Sequence, residues 1–551
     1  MDGSDDGKRE GAARRRFDGE ANFPDGRSSD LCLKCGFYTA GTFTPYRQWY
    51  ARVGRLASAL TGLGVEPGAT IAVMDWDSHR YLECFFAVPM MGCVMQTVNI
   101  RLSPEQVLYT LNHAGADVVL VNADFIPLVA AIRGKLEKDV QFILLRDADA
   151  PAQPGADLPF VGEYEALLAS ASPDYIFPDF DENTLATTFY TSGTTGLPKG
   201  VYYSHRQLVL HALGLAAAFG TAPANGRIHT EDVYLPITPM FHVHAWGMPY
   251  LATMLGLKQI YCGRYDGGLL LKLIRDEHVT LTHCVPTLLH MLLTHPDSAK
   301  TDLSHVKMVV GGSAMPVGLA KQALTRGLDV YTGYGMSETG PIVTTAHLSS
   351  AQVALDLDAQ APLRCRTGRA VPLCELYVTG TDGKEAPHDG AAEGELTLIA
   401  PWLTQGYYKE PEKSEVLWEG GRLHTGDVAT IDANGEMMIR DRIKDVIKTG
   451  GEWISSLTLE NLISQHPGVG EVAVIAVPDK KWGERPMALI VPAGGQHVEP
   501  EAVRSRLQAA AARGEISKYG VPDEIRIVTE LAKTSVGKLN KKAMRDQYRA
   551  V

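Results

Sequence analysis

From about Thr44 the chain alternates between two spacings of apolar residues. Residues 46–63 carry apolar side chains three and four apart and stop at Gly64, which predicts a helix. Residues 70–74 form a short unbroken apolar run, which predicts a buried strand. Ser103, Pro104, Glu105 and Gln106 have the form of a capping box with proline at the first helical position, so a helix is expected to run to about Ala114. Further strands are predicted at 117–121 and 142–145. The segment 148–157, rich in Ala, Pro and Asp, reads as a surface linker.

The same alternation continues with predicted strands at 233–237, 281–285, 306–310 and 330–332, each ending near a polar or glycine-bearing turn. In open α/β sheets ligands bind at the carboxyl ends of strands, so those turns are where binding residues are expected. Between 376 and 439 the pattern shortens to strands at 395–399, 428–431 and 437–439, a small β-rich subdomain. After Arg440 a charged, glycine-bearing stretch reads as a hinge. Beyond it a helix near 457–465, strands at 472–477, 488–491 and 525–528, and a helix at 500–512 form one α+β unit. The expected fold class is therefore α/β: a large N-terminal domain of mixed and parallel sheets with helices plus the small β-rich subdomain, and a mobile α+β C-terminal domain. The division is an atypical, partly disordered leader at 1–43, an N-terminal domain at 44–440, a hinge at 441–446 and a C-terminal domain at 447–551.

A chain of 551 residues exceeds what one core sustains, which agrees with two domains. Net charge −12 argues against nucleic acid and against docking on anionic lipid, both of which need clustered Lys and Arg. Eight cysteines without a framework spacing point to a reducing, cytoplasmic compartment. Cys32 and Cys35 form a lone CxxC with no second ligand pair. No apolar run reaches the ~18 residues a membrane helix needs. The polar first 30 residues do not read as a secretory signal.

The densest chemistry lies at Thr191, Ser192, Gly193, Thr194, Thr195, Gly196, Leu197, Pro198 and Lys199. Glycines let backbone N–H groups turn inward, hydroxyls add donors and Lys199 adds a positive charge, a composition suited to holding polyphosphate. The Walker ending is absent. A flexible surface turn rarely combines so many hydroxyls with a lysine. Near Gly333 a glycine-flanked aromatic, Tyr334, can stack on a purine, and Glu338 beside it can hold a magnesium that bridges phosphates. Asp427, following Gly426, is a carboxylate suited to a ribose diol, although an aspartate after glycine is commonly a turn residue. Lys538 follows Gly537 in a basic tail, which alone reads as solvated surface.

Together these strings resemble the motifs of the AMP-forming acyl-CoA synthetase (adenylate-forming) superfamily, from about Thr44 to the C-terminus and in that family's order. The resemblance implies ATP, Mg2+ and coenzyme A as cofactor and co-substrates. It assigns the 191–199 loop to phosphate, Gly312 and Ser313 to the floor beneath the adenine, and Tyr334 to the adenine face. It also places Ser337, where the family usually has threonine, on the α-phosphate, and Glu338 on the metal. Gly335 then borders both nucleotide and acid. Asp427 is implied for the ribose, Arg442 for a second nucleotide contact and Lys444 for the hinge. Lys538 would approach the substrate carboxylate and α-phosphate during adenylation, and Lys448 belongs to the strand that replaces it during thioester formation; Lys533 and Lys541 are bystanders. His242 and Trp246 resemble the acyl-site histidine and the tunnel tryptophan of members acting on fatty acids, with His244 packed in an aromatic corner. A medium- or long-chain fatty acid is the favoured substrate; a short sulfur-containing, alicyclic or aromatic acid is the alternative. The leader departs from the family pattern, which leaves an N-terminally mediated homodimer open. A hydrolase fits less well, because Thr339 stands where a nucleophile elbow needs glycine. A non-catalytic nucleotide or acyl sensor would not need Glu338 and Lys538 together.

Overall fold

The first helix spans Tyr46–Gly62 and turns Trp49, Val53, Leu56 and Leu60 into the core, as the apolar spacing requires. Each such buried side chain contributes roughly 1.5–3 kcal/mol. The capping box forms as expected: Ser103 Oγ accepts from the Gln106 N–H at 3.3 Å while Gln106 Oε1 accepts from the Ser103 N–H at 3.4 Å, and the helix Pro104–Ala114 follows. The computed structural model describes residues 36–39, 42–147, 158–191, 197–380, 383–494, 496–534 and 537–548. The linker expected at 148–157 and the CxxC cysteines lie outside these residues.

Two large sheets build the N-terminal domain. One runs Phe160–Glu163, Gln141–Leu145, Val118–Asn122, Thr70–Met74, Val94–Thr97, Leu185–Thr191, Lys199–Ser204, parallel except for its last pair. The other has nine strands among the described residues, and its parallel centre comprises Val233–Pro236, Leu281–Cys284, Lys307–Val310 and Asp329–Gly335. Its far edge is the hairpin Gly36–Thr39 and Thr42–Pro45, so strand structure begins inside the segment read as a leader. A four-stranded antiparallel sheet follows, Glu375–Thr379, Gly394–Ile399, Leu423–Ile431 and Met437–Arg442. The C-terminal domain pairs Val469–Asp479 with Gly483–Pro492 and packs the helices Ser456–Ser464 and Pro500–Ala512 around them.

Several strands outrun their sequence-based limits. Asp329–Gly335 pairs in parallel with Lys307–Val310 through Thr332, then takes an antiparallel partner in Ile342–Thr345, with Tyr334 opposite Thr344. Tyr334 and Gly335 are thus strand residues rather than members of a following turn. Leu423–Ile431 likewise runs through Asp427, whose ladder partner is Arg442, so Asp441 and Arg442 belong to the last strand of the four-stranded sheet.

Candidate active site

The strand extensions bring three motifs to one point. The Tyr334 phenol donates to Asp427 Oδ2 at 2.7 Å, and Arg442 Nε donates to Asp427 Oδ1 at 3.1 Å. Asp427 is 4% exposed, and burial holds its carboxyl above the ordinary aspartate range against the pull of Arg442 and Tyr334. Arg442 keeps most of its side chain exposed and so reaches the carboxylate from the open side.

A second cluster surrounds Lys199, at the end of the 191–199 segment. Thr191 and Lys199 face each other across the antiparallel pair that closes the loop, and Ser192, Gly193, Thr194, Thr195 and Gly196 lie outside the described residues. Lys199 Nζ sits 4.2 Å from the centroid of the Tyr407 ring, a cation–π geometry, while the Tyr407 hydroxyl donates to Glu338 Oε1 at 2.8 Å. Burial lowers the Lys199 pKa, opposed by the charge of Glu338. Tyr203 donates to the Ser337 carbonyl at 2.6 Å and fixes the short turn that presents Glu338. Tyr407 has no counterpart among the expected site residues. It sits in a stretch whose only local signal is the pair Gly406 and Tyr407, which reads as an ordinary turn.

Lys538 enters this cleft from the C-terminal domain. It lines a cavity with His242, Trp246, Gly312, Tyr334, Gly335 and Ser337. A side chain on Gly312 would place its Cβ 2.8 Å from Lys538 Cε, and the Thr287 hydroxyl donates to the Gly537 carbonyl at 3.2 Å. Burial, then the positive charge of Arg442, pushes the Lys538 pKa down to about 8, while Asp427 and Glu338 oppose the shift. His242 is held well below the ordinary histidine range by burial and by the Lys538 and Arg101 charges, so it is neutral at pH 7. Ser313 is exposed beside Gly312. Lys444 is exposed two residues past the strand Met437–Arg442, near enough that its charge lowers the Lys199 pKa.

Lys448 is the expected residue that this arrangement leaves outside. Its Nζ lies 5.5 Å from the Trp453 ring centroid on the exposed side of the C-terminal sheet. Lys541, expected to be a bystander to the chemistry, is buried inside the C-terminal domain, 2.7 Å from Glu460 Oε1.

The cavity wall beside His242 is unusual. Val243, His244, Ala245, Trp246 and Gly247 take five successive positive φ angles of 47–72°, a left-handed turn that costs non-glycine residues about 1–2 kcal/mol each. The turn directs Val243 and Trp246 at the cavity. Trp246 is 4% exposed, with its ring 4.9 Å from that of His283. His244 packs edge-on against Phe85 and Phe189, the aromatic corner expected for it, and burial lowers its pKa to about 3. Gly335 is required by contact: a Cβ there would lie 1.7 Å from the Pro341 carbonyl oxygen.

Among the described residues no group of three or more His, Cys, Asp or Glu is arranged to hold a metal by itself. A single buried carboxylate beside a polyphosphate suits magnesium, which takes one or two carboxylates with phosphate oxygens and water. Glu338, whose Oε1 is already oriented by Tyr407, fits that pattern.

Comparison with known proteins agrees with this geometry. The chain is 42% identical to a long-chain-fatty-acid–CoA ligase of Thermus thermophilus, covering 92% of this chain and 90% of the relative. It is 39% identical to a 3-methylmercaptopropionyl-CoA ligase of Ruegeria lacuscaerulensis, covering 92% of each. A medium-chain-fatty-acid–CoA ligase of Ectopseudomonas oleovorans is 37% identical over 90% of this chain and 89% of its own. The fold matches ATP-bound MatB from Rhodopseudomonas palustris with a TM-score of 0.79 at 26% identity, covering 95% and 97% of the two chains. It also matches the anthranilate CoA ligase AuaEII bound to anthranoyl-AMP with a TM-score of 0.81 at 23% identity, covering 94% and 95%. Residues 29–408 match the family described as AMP-binding enzyme and residues 458–538 its C-terminal domain. With most of its length matched by the two family models, the chain belongs to the AMP-binding enzyme family.

Proposed function

We propose that this protein is an AMP-forming acid–thiol ligase that activates a carboxylic acid with ATP and passes the acyl group to coenzyme A. The observation that carries the reading is the meeting of Lys538 with Tyr334, Ser337 and His242 in one cavity, under the charges of Glu338 and Asp427. A carboxylate resists nucleophiles because it is anionic and resonance-stabilised. In the first step its oxygen attacks the α-phosphorus of ATP, and pyrophosphate leaves. In the second the coenzyme A sulfur attacks the acyl carbon, AMP leaves and the thiol proton goes to solvent. Lys538 and Lys199 neutralise charge on the transferring phosphate, while neutral His242 leaves the acid pocket without a competing cation. Asp427 accepts from the ribose hydroxyls, Tyr334 and Gly312 bracket the adenine, and the 191–196 loop cradles phosphate. Bound at Glu338, magnesium would supply charge neutralisation for the polyphosphate.

Lys444, just past the strand that ends at Arg442, is the pivot in this reading. Rotation about Lys444 withdraws Lys538 and brings Lys448 with its strand to the thioester step. The net charge of −12 favours small anionic substrates held by local lysines over nucleic acid. Among the described residues no helix is long and apolar enough to cross a membrane. A cytoplasmic site of action and a homodimeric state belong to the proposal.

A medium- or long-chain fatty acid is the favoured substrate by similarity to the Thermus and Ectopseudomonas ligases. A short sulfur-containing or aromatic acid is the second reading. The buried Trp246, packed on His283 and over Gly311, favours it by filling space behind His242. ATP–pyrophosphate exchange across fatty, thioether and aromatic acids, followed by thioester detection, decides between them. Exchange with none of them contradicts the proposal.

A further inference from the structure

Asp441, before the hinge, and Lys541, in the C-terminal domain, converge on the Ser456 hydroxyl. Asp441 lies in the strand Met437–Arg442, laddered to Val428, and precedes the hinge. Its Oδ2 accepts from the Ser456 N–H at 2.6 Å and the Ser456 hydroxyl at 2.7 Å, both from the first helix of the C-terminal domain. Lys541 Nζ donates to the same Ser456 oxygen at 2.7 Å and pairs with Glu460 at 2.7 Å. Asp441 is 2% exposed, Ser456 0% and Glu460 9%, so the chain of contacts is shut off from water. Lys541 opens the helix Lys541–Tyr548, three residues after Lys538.

We propose that Asp441, Ser456 and Lys541 form a latch that holds the C-terminal domain in the orientation placing Lys538 in the cleft. The inference rests on the two-step reading above. Both hydrogen bonds of Asp441 Oδ2 join a residue before the hinge to one after it, so rotation about Lys444 must break them, whereas the Arg442 N–H on Oδ1 stays with the strand. The Lys541–Glu460 pair and the Arg545–Asp445 pair lie wholly after Arg442 and travel with the rotating domain. Rotation exposes the Asp441 carboxylate to water rather than stranding it, which keeps both orientations accessible. Lys541 and Asp441 are therefore positioning residues: they touch neither nucleotide nor acid, and act by setting how often Lys538 is in place.

The test uses the full-length protein with Ser456→Ala, which removes one small oxygen and keeps the N–H bond to Asp441, and Lys541→Met. Single-turnover formation of acyl-AMP is expected to fall about tenfold, in the range of ordinary coupling between sites. Conversion of supplied acyl-AMP and coenzyme A to thioester is expected to stay within about twofold of the parent enzyme, because that step does not use the latched orientation. Brief trypsin treatment, read by mass at the exposed hinge Lys444, is expected to cut both variants faster than the parent. Equal loss of both half-reactions, or unchanged hinge cleavage, overturns the latch. If the parent enzyme forms no acyl-AMP with any acid, the functional reading fails, and the cleavage rates of folded parent and Ser456→Ala still decide the latch.

Discussion

The Tyr334 phenol donates to Asp427 across 93 residues of sequence at 2.7 Å, tying the strand Asp329–Gly335 to the strand Leu423–Ile431. Removing a donor from a carboxylate that is 4% exposed costs about 1–3 kcal/mol. Tyr334→Phe is expected to lower kcat/KM for ATP by roughly five- to tenfold and to leave the KM for the acid unchanged. Steady-state kinetics with each substrate varied in turn checks this, and a matching rise in both KM values would point to a general loss of structure instead.

Tyr407 joins Lys199 and Glu338 through opposite ends of one side chain. Tyr407→Phe keeps the ring under the ammonium and loses only the hydrogen bond, so a loss of a few-fold in kcat is expected. Tyr407→Leu removes both contacts and is expected to cost about tenfold or more. Equal losses for the two variants would show that the ring contact with Lys199 contributes nothing.

With its pKa pushed down to about 8, Lys538 is an ammonium below that pH and loses its charge above it. If the charged form neutralises phosphate, kcat/KM for adenylation must fall as pH rises through about 8. Lys538→Arg, whose guanidinium stays charged, is expected to lose that alkaline limb even if its rate is low. His242 is neutral throughout, so no acidic limb near the ordinary histidine value is expected. A pH–rate profile of pyrophosphate exchange reads all of these.

Gly335 and Gly312 separate stability from catalysis. Gly335→Ala drives a Cβ to within 1.7 Å of a backbone oxygen that cannot move aside, and an overpacking loss of about 1–3 kcal/mol or more is expected as a lower melting temperature. Gly312→Ala meets the flexible end of Lys538 at 2.8 Å and holds φ at +78°, so a folded protein with slowed adenylation is expected. Thermal melts beside exchange assays distinguish the two.

The helices and the buried strands were legible because their signal is local. The apolar face of Tyr46–Gly62 and the box at Ser103 each lie within a few turns of chain. The strand ends at Tyr334 and Asp427 were not, because glycine and threonine in those stretches read as turns and only the distant partners Thr344 and Arg442 make them strand. The motif lysines could be placed by resemblance, yet nothing local marks Tyr407 as the group between Lys199 and Glu338. Lys541 illustrates the same limit. Its surroundings in sequence are basic and polar, and the groups that bury it, Ser456 and Glu460, lie more than 80 residues away. The left-handed turn at Val243 also escapes sequence reasoning, since only Gly247 among its residues favours positive φ.

Rapid-quench measurement of the two half-reactions of Lys538→Ala tests the central claim most directly. Acyl-AMP formation from acid and ATP is expected to be abolished, while supplied acyl-AMP and coenzyme A are still converted to thioester at close to the parent rate. Loss of both steps to the same extent, or retention of acyl-AMP formation, would contradict the placement of Lys538 at the adenylating centre.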